Sequence, residues 1–212
     1  MVKTDNHNPK VKLDLRRYFL KKYHTEKPPR VFDCCQGGGV MWTTLKNEFV
    51  IENYWGVDLK PQKGRLKIDS VRILQQGISE NVIDVDTYGA PWKHWLAIVA
   101  SVKQPTTVFL TIGKVILAAG GRSLSKDESR LIGLPPSSPP GFGPSVLYLC
   151  VDAMLAKAKQ FATIVEAVEA VSTGNARYIG VRLEPIKKDG LPAVDAASKP
   201  KHRKANKERC NV

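Results

Sequence analysis

A chain of 212 residues that is 42% hydrophobic has the length and apolar content of one globular domain. No apolar run approaches a membrane span and the polar, lysine-bearing N-terminus has no signal-peptide pattern, so a protein of a reducing, cytoplasmic compartment without membrane contact is expected. The net charge of +13 sits at the ends: residues 1–27 carry 8 Lys/Arg against 3 Asp/Glu, residues 28–184 carry 17 against 14, and residues 185–212 carry 8 against 3. Basic ends beside a near-neutral centre suit a grip on phosphate backbones and hence a nucleic-acid partner. Solubility, or a ribosomal or membrane-surface address, is the plainer alternative.

In chain order, residues 11–23 read as a helix with Leu13, Tyr18 and Leu20 on or near one face and charges elsewhere. Pro28 and Pro29 end it. A strand follows over 30–35, then a Gly37-Gly38-Gly39 turn and a helix over 40–47. Residues 49–51 and 55–58 approach and form a second strand, 66–69 a short third, and 82–86 a fourth. Pro91 suits the first turn of a helix running to residue 102. Residues 107–112, β-branched and aromatic, form a fifth strand. Strands alternating with helical stretches predict a parallel, doubly wound α/β sheet.

Residues 113–144 break this rhythm with Gly120-Gly121 and a Pro- and Ser-rich stretch around the charged piece 126–130. A loop of that length is either a substrate lid, with Arg122, Lys126 and Arg130 reaching phosphates, or a surface insertion. A helix over 145–160 and two strands over 162–171 and 176–183, joined by a turn at 172–175, complete the domain. From Pro185 onward the chain is basic and aperiodic, and a disordered tail is expected. The organisation is therefore a basic helical segment (1–27), one domain (28–184) and a basic tail (185–212). Cys34, Cys35, Cys150 and Cys210 form no C-x-x-C pair, so no metal site is expected.

The chemistry-bearing residues lie at strand ends. Asp33 ends the first strand immediately before the glycines, which let a ligand approach the backbone. Gly37-x-Gly39-x-x-Trp42 fails the dinucleotide fingerprint at its third glycine, where a Trp obstructs close helix–strand packing. An acid before the glycines suits an ammonium, and Asp58, about 20 residues further on, suits ribose hydroxyls. An ammonium and a ribose without a pyrophosphate describe S-adenosylmethionine.

On these residues the chain resembles the class I S-adenosylmethionine-dependent methyltransferases. Asp33 to Gly39 is similar to the D-x-F-x-G-x-G form of their first motif, and Asp58 to the ribose-binding acid. Asp69, in Lys67-Ile68-Asp69-Ser70, is similar to the acid facing the adenine amine. Asp86-Thr87-Tyr88-Gly89-Ala90-Pro91 resembles the D-P-[FY]-G-S-P of tRNA guanine dimethyltransferases and, more loosely, the D-P-P-Y of amino-methylating DNA enzymes, with Thr87 in place of proline. The resemblance implies a Rossmann-like domain with a mostly parallel seven-stranded sheet and a C-terminal antiparallel hairpin. It implies Asp33, Gly37, Gly39, Asp58 and Asp69 at the cofactor, and Asp86 and Tyr88 as catalytic residues.

The logic of the fourth motif is physical. An exocyclic amine on a base is a poor nucleophile, and acceptors must hold its N–H groups so that the lone pair faces the methyl sulfonium. Asp86 and a carbonyl near Thr87 suit that task, and Tyr88 suits stacking on the base, worth roughly 1–3 kcal/mol. Thr87, Pro91 and Trp92 are candidate substrate contacts, as are Thr111 and Lys114. His94 reads as a surface or capping residue. A strand ending in a tight turn, with Asp86 capping the next helix, is the structural alternative. Methylation of an amine in DNA or RNA competes with the same chemistry on a protein or small molecule, and with an inactive methyltransferase-like accessory module. With only a tail expected after Leu183, target recognition falls to the 113–144 loop, the basic ends or a partner subunit.

Overall fold

The computed structural model describes residues 8–60, 66–87, 90–112, 130, 133, 143–171 and 177–186. Seven strands form one sheet: β1 (Arg30–Asp33), β2 (Asn53–Asp58), β3 (Leu66–Lys67), β4 (Val82–Val85), β5 (Thr106–Ile112), β6 (Ala162–Val171) and β7 (Arg177–Pro185). Their order is β3-β2-β1-β4-β5-β7-β6. The first five strands pair in parallel, while β7 runs antiparallel to β5 and to β6. This is the expected mostly parallel sheet with its antiparallel C-terminal hairpin. The third strand is two residues long, shorter than the expected 66–69, because Asp69 instead caps a helix that the sequence reading missed.

Helices among the described residues include α1 (Pro9–Tyr23), α2 (Val40–Lys46), α3 (Ser70–Gln76), α4 (Trp92–Ser101) and α5 (Gly143–Ala158). None of the described helices is long and apolar enough to cross a membrane. The central strands β4 and β5 are buried along their whole length on both faces. Successive residues alternate between two cores. Val31, Val82, Phe109 and Tyr178 pack with Leu15, Phe19 and Leu20 of α1 and Trp42 and Leu45 of α2. Phe32, Ile83, Val108, Leu110 and Ile179 pack on the opposite face with Leu74, Trp92, Trp95, Ile98 and Met154.

The first helix departs from its expected amphipathicity. Its buried face is Lys12, Leu15, Arg16, Phe19 and Leu20, so two cations point inward, while Tyr18 is exposed. The reason lies in the sheet: carboxylates at the end of β4 await both cations, as described below. Of the seven basic residues described in segment 1–27, five form ion pairs within the fold, namely Lys10, Lys12, Arg16, Arg17 and Lys22. The segment's positive excess is thus largely neutralised internally.

Gly180 fixes how closely α1 lies on β7. A Cβ there would stand 2.4 Å from the Phe19 ring. That ring is fully buried against Phe109 and Tyr23 and has nowhere to retreat. Gly180→Ala is therefore expected to destabilise the fold by about 1–3 kcal/mol through overpacking, read as a lower urea midpoint with an unchanged m-value.

Candidate active site

Nearly all the sequence-predicted site residues that are described lie at the carboxyl ends of the parallel strands, where open α/β sheets bind ligands. At β1 and β2 they form a cradle. Gly37 and Gly39 adopt φ of 48° and 69°, conformations that side chains rarely take, and a Cβ on Gly37 would meet the Cys35 carbonyl oxygen at 4.0 Å, an ordinary contact, so its backbone conformation is the reason for glycine there. The Gly37 N–H donates to Asp58 Oδ2 at 3.0 Å, and the Lys60 N–H donates to Asp58 Oδ1 at 2.8 Å. The two bonds hold the half-exposed Asp58 carboxylate against the glycine turn with lone pairs to spare. Asp69 is the N-cap of α3, accepting from the Val71 N–H at 3.0 Å.

Asp33 lies 5% exposed at the end of β1, directly beside Asp84 in the β1–β4 register. Alternation sends both carboxylates to the α1/α2 face. Asp84 is saturated there: Arg16 donates to it through Nε at 2.8 Å and through Nη2, and Trp42 Nε1 donates at 2.7 Å. Trp42, which replaces the third glycine, thus ties α2 to the sheet by a hydrogen bond instead of by close backbone packing. Among the described residues, Asp33 receives the Tyr54 hydroxyl at 3.0 Å and the Cys35 N–H at 3.3 Å. Burial first, and the neighbouring Asp84 charge second, push Asp33 up to about 8 from an ordinary 3.8, against the lowering effect of those two donors. Between these values the native chain binds a proton that the unfolded chain does not. This group's contribution to stability therefore falls as pH rises from about 4 to about 8. A cation arriving at Asp33 would reverse that loss.

At β4 the fourth motif begins with Asp86, whose two oxygens accept from Lys12 Nζ at 2.7 and 2.6 Å. Thr87 Oγ1 donates to the Thr111 carbonyl at 3.2 Å, joining the ends of β4 and β5. Pro91 is buried as the N-cap residue of α4, and its carbonyl accepts from the Trp95 N–H at 2.8 Å. Trp92 is 1% exposed in the core of the α3/α4 face, where the first turn of α4 places it with Trp95. His94 is half-buried rather than superficial, and its Nε2 lies 2.9 Å from Ser70 Oγ, linking α4 to the start of α3. Tyr88, Gly89 and Lys114, most of the 113–144 loop, the 172–175 turn and nearly all of the basic tail lie outside the described residues.

The sequence reading missed Lys12, Arg16, Tyr54 and Asp84, and the hydrogen bond from Trp42 to Asp84. The available signal was paired spacing: Lys12 and Arg16 are four apart on a helix, and Asp84 and Asp86 are two apart on a strand.

No family model matches the chain, and no curated protein matches it in sequence. Solved structures do match. Trm1 from Pyrococcus horikoshii in complex with S-adenosyl-L-methionine superposes with a TM-score of 0.60 at 17% identity, over 84% of this chain and 56% of that one. A structure from Lactococcus lactis, named only as a candidate hemolysin, superposes with a TM-score of 0.52 at 12% identity, over 82% of this chain and 86% of that one. This is the Rossmann-like methyltransferase fold. The chain spans little more than half the length of the Trm1 chain that it resembles.

Proposed function

We propose that this protein is an S-adenosylmethionine-dependent methyltransferase acting on an exocyclic amine of a base in DNA or RNA. The observation that carries this reading is the cradle at β1 and β2, with its positive-φ glycines between a buried and a half-exposed carboxylate. Its donor set fits the cofactor: Asp33 suits the ammonium, Asp58 the ribose hydroxyls, Gly37 and Gly39 the close approach, and Asp69 the adenine amine. The shared fold with a Trm1 structure that holds S-adenosyl-L-methionine supports the same cofactor. Bound there, the cofactor supplies an electrophilic methyl group.

The chain's own work is then positional. Asp86 and a carbonyl near Thr87 accept the two N–H bonds of the target amine, and Tyr88 stacks on its ring. Lys60, Lys67, Arg72 and Lys93, exposed around the carboxyl-terminal edge, support contact with phosphates, as does the positive excess of residues 185–212. A partner subunit that aids target recognition, and a cytoplasmic site of action, belong to the same proposal.

Calorimetric titration with S-adenosylmethionine, S-adenosylhomocysteine and NAD tests the reading. The first two are expected to bind and NAD not to; binding of NAD alone overturns it. Because burial and the neighbouring Asp84 charge raise the Asp33 carboxyl, and an ammonium arriving there lowers it, proton release on binding is expected. The release is read from the dependence of the heat on buffer ionisation enthalpy, and Asp33→Asn is expected to remove it.

A further inference from the structure

We infer that Lys12 is a positioning residue of the target site, and that its pairing with Asp86 makes the site select an uncharged amine over an ammonium. This rests on the proposed role of Asp86. Lys12 belongs to α1, 74 residues away in sequence, and its side chain is only 6% exposed. Its ammonium bridges both Asp86 oxygens and lies 5.3 Å from the centre of the Tyr178 ring, so it is held from two sides. A bridging donor fixes the plane of the carboxylate and leaves the remaining lone pairs on each oxygen for other donors. Asp86, 25% exposed, is the more open member of the pair.

The placement follows from the register of helix on strand. One i to i+4 step along α1 advances about 6 Å. One i to i+2 step along β4 advances about 6.6 Å. Arg16 on Asp84 therefore sets Lys12 on Asp86, and the two ion pairs form successive rungs of one ladder.

The ladder decides the charge that the target meets. Asp84 is matched by Arg16 and Asp86 by Lys12, and in the proposed function Asp33 is matched by the cofactor's ammonium. Among the described residues at the ends of β1 and β4, no carboxylate is left to compensate a cationic acceptor or to take its proton. An aliphatic ammonium would bring an uncompensated charge beside Lys12, and it has no lone pair until it loses a proton. A planar amine on a nucleobase is neutral, needs only acceptors for its N–H bonds, and meets no such cost.

The experiment uses the full chain and tritiated S-adenosylmethionine, with heat-denatured DNA, total RNA and poly-L-lysine as separate acceptors. Wild-type protein is expected to label a nucleic acid and not poly-L-lysine. Lys12→Met is expected to lower kcat about 100-fold, the scale of a misplaced catalytic group, with cofactor affinity unchanged. Lys12→Arg is expected to recover most of that rate. Spermidine is expected to inhibit residual transfer by Lys12→Met competitively, since Asp86 is then unpaired, at concentrations without effect on wild type. A merely structural Lys12 would alter cofactor affinity and the thermal midpoint without creating that inhibition. Wild-type kcat in Lys12→Met, or preferential labelling of poly-L-lysine by wild type, overturns the inference. If Lys12→Met does not fold, the acceptor preference of wild type and the Lys12→Arg rate decide it. Loss of transfer in Asp86→Ala but not in Lys12→Met defeats the Lys12 role alone. Retained transfer in Asp86→Ala, or no transfer by wild type to any acceptor, defeats the reading beneath it.

Discussion

Asp86→Ala is expected to lower the rate of methyl transfer by about 100- to 1,000-fold, the range for removing one preorganised polar group from an active site. Cofactor affinity is expected to stay within about threefold of wild type, because Asp86 lies just past the end of β4, outside the glycine cradle. Two effects combine. The target amine loses its acceptor, and the Lys12 ammonium, 6% exposed, loses the carboxylate that compensates it. The pair of variants Asp86→Ala and Asp86→Asn separates them. Asn keeps one acceptor oxygen but not the charge, so a smaller loss with Asn marks the acceptor role. Equal losses mark the charge. Single-turnover rates at saturating cofactor, set beside calorimetric cofactor affinities, read both quantities. Full activity of Asp86→Ala removes the fourth motif from the proposed chemistry.

The parts of this fold that were legible in the sequence are those with short-range causes. Short stretches rich in β-branched residues, such as Val82 to Val85 and Thr106 to Ile112, announce strands. Gly37 and Gly39 announce a turn through their conformational freedom. The acids at positions 33 and 58 stand at strand ends that those runs already define. The illegible parts have long-range causes. Nothing local marks Lys12 or Arg16 as buried, since a lysine or arginine on a helix usually faces water. Their burial is decided by Asp86 and Asp84, more than 65 residues away. The same holds for Trp42, whose place in a failed glycine fingerprint hides a hydrogen bond to Asp84. The helix α3 escaped notice because only seven residues follow its cap, too few for a periodic signal. The consequence for charge is concrete. Much of the basic character of residues 1–27 is internal wiring, so arguments for polyanion binding rest on the exposed rim and the C-terminal residues.

The same wiring sets the second large effect. Arg16→Met is expected to destabilise the protein by about 3–5 kcal/mol, the range for breaking a buried ion pair by removing one partner. Arg16 and Asp84 are each 3% exposed at the side chain. The guanidinium also donates to the Lys12 carbonyl at 3.0 Å and lies 5.0 Å from the centre of the Phe109 ring. Met fills much of the volume but satisfies none of these acceptors. Asp84 is left with the Trp42 N–H and a neighbouring Asp33, in a site that no longer holds a cation to balance either acid. The loss should therefore exceed that of an exposed pair such as Arg17 with Glu48. Urea unfolding of Arg16→Met, Asp84→Leu and the double variant forms the test. The double variant is expected to be more stable than Arg16→Met, because a buried pair replaced on both sides by apolar groups loses its desolvation cost along with its attraction. Arg16→Met within about 1 kcal/mol of wild type would mean that water reaches Asp84, and the ladder that positions Lys12 would lose its anchor.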